Sequence, residues 1–257
     1  MEILLISIVA FLVAILTFFS GFGLGTLLTP IMMIFFPVEV AIALTGVVHF
    51  SNNLFKLVLV GKNFDKEVVL RFGIPAVLFA FIGAMLLIQI PNMQPLYSYQ
   101  LFEKTFEVFP MKLIVAIFML FFAVVDLIPF FNNLQFDKGK LPIGGALSGF
   151  FGGLTGAQGA LRSAFLIRAG LSKEAFIATT VVISSFVDFT RLGVYSTRIL
   201  NLDLKENFPL LICATLSAMI GAFIGNKLLK KVTLKFLQIS VATLLIIISI
   251  GLGLGWI

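Results

Sequence analysis

The chain has 257 residues, of which 60% are hydrophobic and 12% are charged, and its formal net charge is +6. Soluble domains carry about 25% charged residues, and the mean hydropathy here is +1.14, so a water-soluble protein is excluded. The apolar runs are continuous and do not alternate, which disfavours a transmembrane β-barrel and predicts an all-α polytopic integral membrane protein.

Several other classes are excluded by motifs that the chain lacks. No basic stripe interleaved with aromatic residues is present, so nucleic acid is not an expected partner. Cys213 is the only cysteine and lies in an apolar run, which predicts neither a disulfide framework nor a metal site. No phosphate-binding glycine-rich motif is present, so no cofactor is expected. The N-terminal apolar run lacks a basic region and a cleavage site and is interpreted as a retained membrane segment.

The apolar runs, taken in chain order, predict two similar sets of membrane segments. The first repeat occupies 1–88 and ends with a last span at 111–131, and the second repeat occupies 141–257. Each contains one glycine-broken element and three spans. The predicted segments are a broken helix at 2–36, spans at about 39–60, 68–88 and 111–131, a second broken helix at 141–169, and spans at about 175–197, 207–226 and 234–256. The connection 89–110 is predicted to be an interfacial loop with aromatic anchors, and 132–140 links the repeats.

The two sets share short sequence matches in the same order. "SGFGLGTLL" (20–28) matches "TGAQGALRS" (155–163) with Gly21 over Gly156, an offset of 135. "AVLFAFIGA" matches "ATLSAMIGA" at an offset of 138, and two shorter matches lie between. The alternative is that small residues recur in any membrane helix, but ordered matches at a nearly constant offset favour a duplication. Duplicated halves with interrupted helices are typical of secondary transporters.

The glycine-broken elements leave two topologies open. As one helix, 2–36 would be roughly 50 Å long, well beyond a hydrocarbon core of about 30 Å. The chain is therefore expected to break at Gly21, Gly23 and Gly25, either as a kinked span or as a hairpin whose tip lies inside the membrane. With hairpins, ten Lys and Arg residues of the connections lie on one side and three on the other, whereas eight simple spans divide them almost evenly. The positive-inside rule thus favours hairpins and inverted repeats.

Arg162 is the strongest candidate for substrate binding. A charged side chain at mid-membrane costs at least about 2.5–3.5 kcal/mol, and a guanidinium binds an oxyanion through two parallel hydrogen bonds. Arg162 also lies near the amides of a helix N-terminus. The alternative is a structural arginine that snorkels or pairs with a carboxylate such as Asp188. The tip glycines either expose amides to substrate or permit close packing. The other substrate-binding candidates at the tips are Gln158, Ser163, Gly156, Gly159, Thr155, Gly21, Gly23, Gly25 and Thr26.

A polar stripe is predicted on the first span of the first half. His49, Asn52, Asn53 and Lys56 follow at i, i+3, i+4 and i+7, so they share one helix face, which lipid would reject. Asn52 and Asn53 are substrate-binding candidates. His49 is a candidate for proton coupling, with a hydrogen-bonded packing residue as the alternative. Lys56 is a candidate for gating, or it reaches the cytoplasmic interface.

A matching stripe lies on the corresponding span of the second half. Thr180, Ser184, Asp188 and Arg191 follow at i, i+4, i+8 and i+11. Asp188 and Arg191 are predicted to form an ion pair at the i, i+3 spacing. The alternative is that Asp188 carries a proton or orients Arg162, so Asp188 and Arg191 are candidates for coupling or gating.

The order of these motifs resembles the sulfite exporter TauE/SafE family. The resemblance is carried by "GFGLGTLLTP", "VAIALT", "KNFD" and "GIPAVLFAFIGA" in the first half, and by "GAQGALRSAFLIRAGLSKEAFIAT", "NLD" and "IGAFIGNKLLKK" in the second. It implies a multi-pass protein of the bacterial plasma (inner) membrane that transports, and usually exports, small sulfur anions such as sulfite, thiosulfate or organosulfonates. Gln158, Arg162 and Phe165 depart from the family's usual second tip, which leaves the substrate open.

Together, the residues and the resemblance predict a secondary transporter of small anions and not an enzyme. The anion is expected to bind between the two tips, and rocking of one half against the other is expected to give alternating access. An anion channel, a carrier of another small organic anion, and an intramembrane enzyme that uses His49 and Asp188 are the alternatives. The expected partners are the anion, the lipid bilayer and a coupled proton or sodium ion, and a homodimer is the candidate assembly.

Overall fold

The structure is a computed structural model that describes residues 2–21, 23–89, 94–101, 103–128, 138–199, 204–228 and 234–256. Most of the predicted linker 132–140 and the "NLD" match lie outside the described residues. Helices dominate the described part. They are α1 (Glu2–Ser20), α2 (Leu24–Met32), α3 (Val38–Val60), α4 (Lys66–Gln89), α5 (Pro110–Leu127), α6 (Leu141–Thr155), α7 (Gly159–Leu166), α8 (Lys173–Ile199), α9 (Leu204–Leu228) and α10 (Leu234–Gly253). α4 contains a π-helical stretch at Val69–Gly73.

The outer surface of the molecule carries many large apolar side chains, while a few charged side chains lie buried inside. Leu78, Phe81 and Phe189 lie on the outside and are half or more exposed, whereas Arg162 and Asp188 are fully buried. This is the arrangement expected when lipid surrounds the outer surface. The prediction of an all-α polytopic membrane protein is thereby confirmed. The described helices that are long and apolar enough to cross a membrane are Val38–Asn63, Lys66–Gln89, Lys173–Thr197 and Asn207–Leu228, and the shorter apolar helices are Glu2–Phe18, Pro110–Phe121, Leu141–Thr155 and Ala242–Gly253.

The second glycine-broken element folds back on itself as a helical hairpin. α6 ends at Gly156, which has a left-handed backbone with φ 77°, a conformation that glycine adopts without steric cost. α7 then runs back along α6, since Gly144 near the start of α6 packs against the ring of Phe165 near the end of α7. At the tip, the Ser148 hydroxyl donates to the carbonyl oxygen of Gln158 at 3.0 Å. In the first half, α1 and α2 likewise pack on each other, and Gly21 and Gly23 both have positive φ between them.

Helices of one half pack extensively against helices of the other half. α4 packs on α6, α1 on α9, α3 on α8 and α5 on α10. The first two contacts bring backbones together: a Cβ added at Gly149 would lie 2.0 Å from the carbonyl oxygen of Ala76, and one at Gly221 would lie 2.3 Å from that of Phe11. Small residues permit such approach between membrane helices. If each helix is replaced by its counterpart in the other half, the pair α4–α6 becomes α9–α1, while the pairs α3–α8 and α5–α10 stay the same. A duplication predicts such a symmetric set of contacts.

The directions of these helix pairs bear on the two topologies that the sequence leaves open. α3 and α8 run antiparallel. Gly46 in the middle of α3 lies beside Leu192 late in α8, whereas the backbone N–H of Asp65, beyond the end of α3, donates to Thr179 Oγ1 early in α8 at 2.9 Å. α5 and α10 are antiparallel as well. Eight simple spans would make both pairs parallel, so the observed directions favour the interpretation with two hairpins.

The connection predicted as an interfacial loop contains a β-hairpin. β1 (Tyr97–Leu101) pairs antiparallel with β2 (Lys104–Val108), with Tyr99 opposite Phe106. The side chains of "YSYQL" and "KTFEV" alternate, which favours extended strands, and the stacked rings of Tyr99 and Phe106 lie on one face. Tyr99 also accepts a hydrogen bond from the Trp256 indole at 2.8 Å. This aromatic cluster therefore ties the connection to the end of the chain.

Candidate anion-binding site

The two tips meet inside the protein. The Arg162 Nη2 group, in the first turns of α7, donates to the carbonyl oxygen of Gly21 at 3.1 Å. A Cβ added at Gly25 would lie 3.1 Å from the carbonyl oxygen of Gly156, and one at Gly21 would lie 2.8 Å from Ser163 Oγ. Thr26 in α2 and Gly159 at the start of α7 are also buried. Residues of the two tips therefore lie close together.

Asp188 is the centre of a buried hydrogen-bond network between α3, α7 and α8. His49 Nδ1 lies 2.6 Å from its Oδ2, and Asn53 Nδ2 donates to the same oxygen at 2.9 Å. The other oxygen, Oδ1, accepts from Gln158 Nε2 and from Arg191 Nε, both at 2.9 Å. The predicted pair of Asp188 and Arg191 is present, and both carboxylate oxygens are engaged by donors. Because all five side chains are buried, this network fixes α3 against α8 in one register.

Gln158 connects Arg162 to this network. Arg162 Nη1 donates to Gln158 Oε1 at 3.0 Å, while the amide nitrogen of Gln158 donates to Asp188. Among the described residues, Asp188 therefore touches Arg162 only through a neutral amide, and no ion pair between them is present. Gln158, a predicted substrate ligand, thus has both ends of its amide engaged by Arg162 and Asp188. The positive charge of Arg162 consequently lacks a direct carboxylate partner in the described part of the chain.

A narrow cavity lined by both polar and apolar residues lies beside the tips, with a free volume of about 10 Å³. Arg162 and Lys56 both line it, and the Lys56 ammonium lies 5.3 Å from the centroid of the Phe18 ring, within the range of a cation–π interaction. Lys56 is only 3% exposed, so it does not reach the interface. Two cations without a lining carboxylate favour an anion. The polar and glycine residues that line the cavity are Thr17, Gly21, Gly23, Asn53, Lys56, Arg162, Thr180 and Ser184.

Some candidates lie beside the cavity without lining it. Thr155 Oγ1 donates to the carbonyl oxygen of Phe151 at 2.8 Å, so this hydroxyl hydrogen-bonds within the last turn of α6. Asn52 is fully buried and makes no side-chain hydrogen bond with described residues. Arg191 Nη1 would lie 3.2 Å from a Cβ added at Gly156. Sequence reasoning placed Thr180 and Ser184 on an inward stripe without a role, and it missed Thr17, one turn before the first tip.

One ring nitrogen of His49 contacts Asp188, and the other faces the first tip. This nitrogen, Nε2, is buried and has no hydrogen-bond partner among the described residues. A Cβ added at Gly23 would lie 2.8 Å from Nε2 and 3.4 Å from Arg162 Nη2. The backbone of Gly23 has φ 78° and ψ 144°, a combination almost restricted to glycine. Gly23 therefore permits close approach of the tip to both basic side chains.

We expect Gly23→Ala to reduce anion transport strongly. The substitution introduces backbone strain of about 1–3 kcal/mol and a methyl group against His49. Gly170→Ala is the matched control, because Gly170 also has a positive φ of 74° but nothing lies within 4 Å of an added Cβ. Transport rates of both variants in proteoliposomes, normalised to folded protein, test this expectation. Equal rates for the two variants would show that the tip does not need the close approach.

The buried cations, the paired hairpins and the apolar outer surface are the features of a polytopic membrane protein with a candidate internal site for a small anion. The sequence pattern described as Sulfite exporter TauE/SafE matches residues 6–252, nearly the whole chain. The chain therefore belongs to the sulfite exporter TauE/SafE family. No individual curated protein matches it. Family membership agrees with transport across a membrane, and the family consists of transporters.

Proposed function

We propose that this protein is a secondary transporter that exports small sulfur-containing anions, such as sulfite, thiosulfate or an organosulfonate, from the bacterial cytoplasm. The observation that carries the proposal is the cavity at the meeting point of the two tips, where Lys56 and Arg162 both face the same space. Binding sites at the interface of duplicated halves, formed by broken helices, are typical of secondary transporters. The proposal includes the plasma (inner) membrane as location and a homodimer as assembly.

Alternating access is favoured over an open channel by the size of the cavity. Its free volume of about 10 Å³ is the space of about one water molecule, and a sulfur oxyanion is several times larger. The anion therefore enters only if the tips or the helices around them move apart. The antiparallel directions of α3 and α8 support inverted halves, whose rocking would open the site to each side in turn.

A proton is better supported than sodium as the coupling ion. Sodium needs oxygen ligands, but both oxygens of Asp188 already accept hydrogen bonds from donors. His49 connects Asp188 to the first tip, and its Nε2 lies beside Gly23 without a partner among the described residues. Protonation there would add a positive charge next to Arg162. His49, Asp188 and Arg191 are thus proposed to couple anion binding to proton movement, with Lys56 as a gate.

Counterflow in proteoliposomes tests the transport proposal. Vesicles loaded with unlabelled thiosulfate should take up labelled thiosulfate or sulfite, with saturation and with acceleration by the anion on the opposite side. Protein-free vesicles are the control. Flux that rises linearly with concentration and ignores the opposite anion would indicate a channel, and chemical turnover in detergent without two compartments would indicate an enzyme. Uptake of other organic anions in place of sulfur anions would indicate a different carrier.

A further inference from the structure

We propose that the cavity selects divalent oxyanions over monovalent ones, and that Lys56 is the residue that sets this preference. This inference depends on the proposed function, because it names the charge class of the substrate of the same site. A divalent sulfur oxyanion such as thiosulfate or fully deprotonated sulfite is then the preferred substrate, and a monovalent organosulfonate is bound more weakly.

The buried charges around the site do not cancel. The described buried residues in this region include three cations, Lys56, Arg162 and Arg191, but only one carboxylate, Asp188. With His49 neutral, their formal charge is therefore +2. Arg191 forms an ion pair with Asp188, since its Nε and Nη2 atoms both lie 2.9 Å from Oδ1. The two cations left over are the two that line the cavity. Buried charges need partners, and one dianion would neutralise both.

The two polar stripes differ at one position. Lys56 in α3 and Arg191 in α8 each follow a polar residue of the same helix face by three positions. In α8 that residue is the carboxylate Asp188, whereas in α3 it is the neutral amide Asn53. Asp188, the one buried carboxylate among the described residues, pairs with Arg191. Asn53 donates to Asp188 at 2.9 Å, so the amide of α3 is itself engaged by the carboxylate of α8.

The consequence is an asymmetric pair of basic sites. Arg191 lies beside the second tip at Gly156 and carries its own counter-ion, so it forms a permanent part of the fold. Lys56 lies beside the first tip at Gly21 with an amide where the counter-ion would be. A bound anion thus takes the place that the missing carboxylate would have, and the charge of Arg162 requires a second negative charge on the same molecule.

Competition against labelled thiosulfate counterflow tests this charge preference. In the wild-type protein, unlabelled thiosulfate should compete at least about tenfold better than the monoanion methanesulfonate, a difference of about 1.4 kcal/mol. Sulfite gains its second charge near neutral pH, so its potency should rise as the pH passes through that range. Thiosulfate keeps two charges over the same pH range. Any change in its own potency there therefore reports titration of the protein, at His49, Lys56, Asp188 or the neighbouring arginines.

Variants at the cavity then assign the preference to Lys56. Lys56→Gln should bring thiosulfate and methanesulfonate within about threefold of each other, and Lys56→Arg should preserve the difference because it keeps the charge. Ser184→Ala, which changes a neutral lining residue, should affect both anions equally. Equal competition by both anions in the wild type would overturn the inference and leave the transporter intact, independently of how the variants fold. An equal loss for both anions in Lys56→Gln would remove the role of Lys56. Failure of any sulfur anion to be transported would overturn the proposed function itself.

Discussion

Arg162→Ala is expected to lower the specificity constant for sulfur-anion uptake about 10- to 100-fold. A hydrogen bond to a charged group contributes about 1.5–3 kcal/mol, and the substitution removes a cation from the cavity together with its bonds to Gln158 and Gly21. Initial uptake rates over a range of thiosulfate concentrations in proteoliposomes measure the effect. Unchanged affinity and rate would refute the role of Arg162 in anion binding.

Two controls separate anion binding from folding in this variant. Arg71→Ala removes an arginine whose side chain is 51% exposed, so its uptake should match that of the wild type. Thermal unfolding in detergent should show whether Arg162→Ala is still folded, since Arg162 also links the two tips. A loss of uptake that only follows a loss of folded protein would assign Arg162 a structural role.

Asp188→Asn is expected to destabilise the protein by about 3–5 kcal/mol, because removing one partner of a buried ion pair leaves the other charge without compensation. Arg191 is fully buried, and the new amide would not neutralise it. The double variant Asp188→Asn/Arg191→Gln should recover part of this loss, since it removes both charges. Unfolding of the purified proteins in detergent, followed by temperature or denaturant, gives the difference between the single and double variants.

An exposed ion pair on the same chain provides the comparison. Glu67 and Arg71 form an i, i+4 pair on α4 with side chains 45% and 51% exposed, and exposed pairs contribute about 0–1 kcal/mol. Glu67→Gln should therefore lower the free energy of unfolding far less than Asp188→Asn does. If the two substitutions cost the same, the buried network would not be what holds α3 against α8.

The sequence predicts the site best at charged residues, because placing a charge in a membrane segment costs free energy. A lone arginine in a glycine-rich apolar run has few explanations, so Arg162 stands out without any structure. The same holds for Asp188 and Arg191, whose spacing on one helix is enough to predict their ion pair. These features are local, since they depend on helix periodicity and on the free energy of placing a charge in lipid.

The partners across the two halves are not predictable in this way. Periodicity indicates which residues share a face of α3, but not which residues of α8 that face meets. The hydrogen bonds of Gln158 to Arg162 and Asp188, for example, connect a tip with α8, and no local pattern predicts them. Likewise, the spacing on α3 does not show that Lys56 lines a cavity together with Arg162. The β-hairpin at Tyr97–Val108 is missed because a short alternating run within a polar connection gives a weak signal beside long apolar helices.

The packing of α1 on α9 has a consequence for biosynthesis. The small-residue face of α9 that packs on α1 includes Gly221, which is synthesised long after Phe11 of α1. We therefore expect α1 and α2 to enter the bilayer before the helix that packs on α1 has been made, and a nascent chain that stops before Leu204 lacks this contact. The first tip is accordingly expected to reach its final packing only after α9 has been inserted.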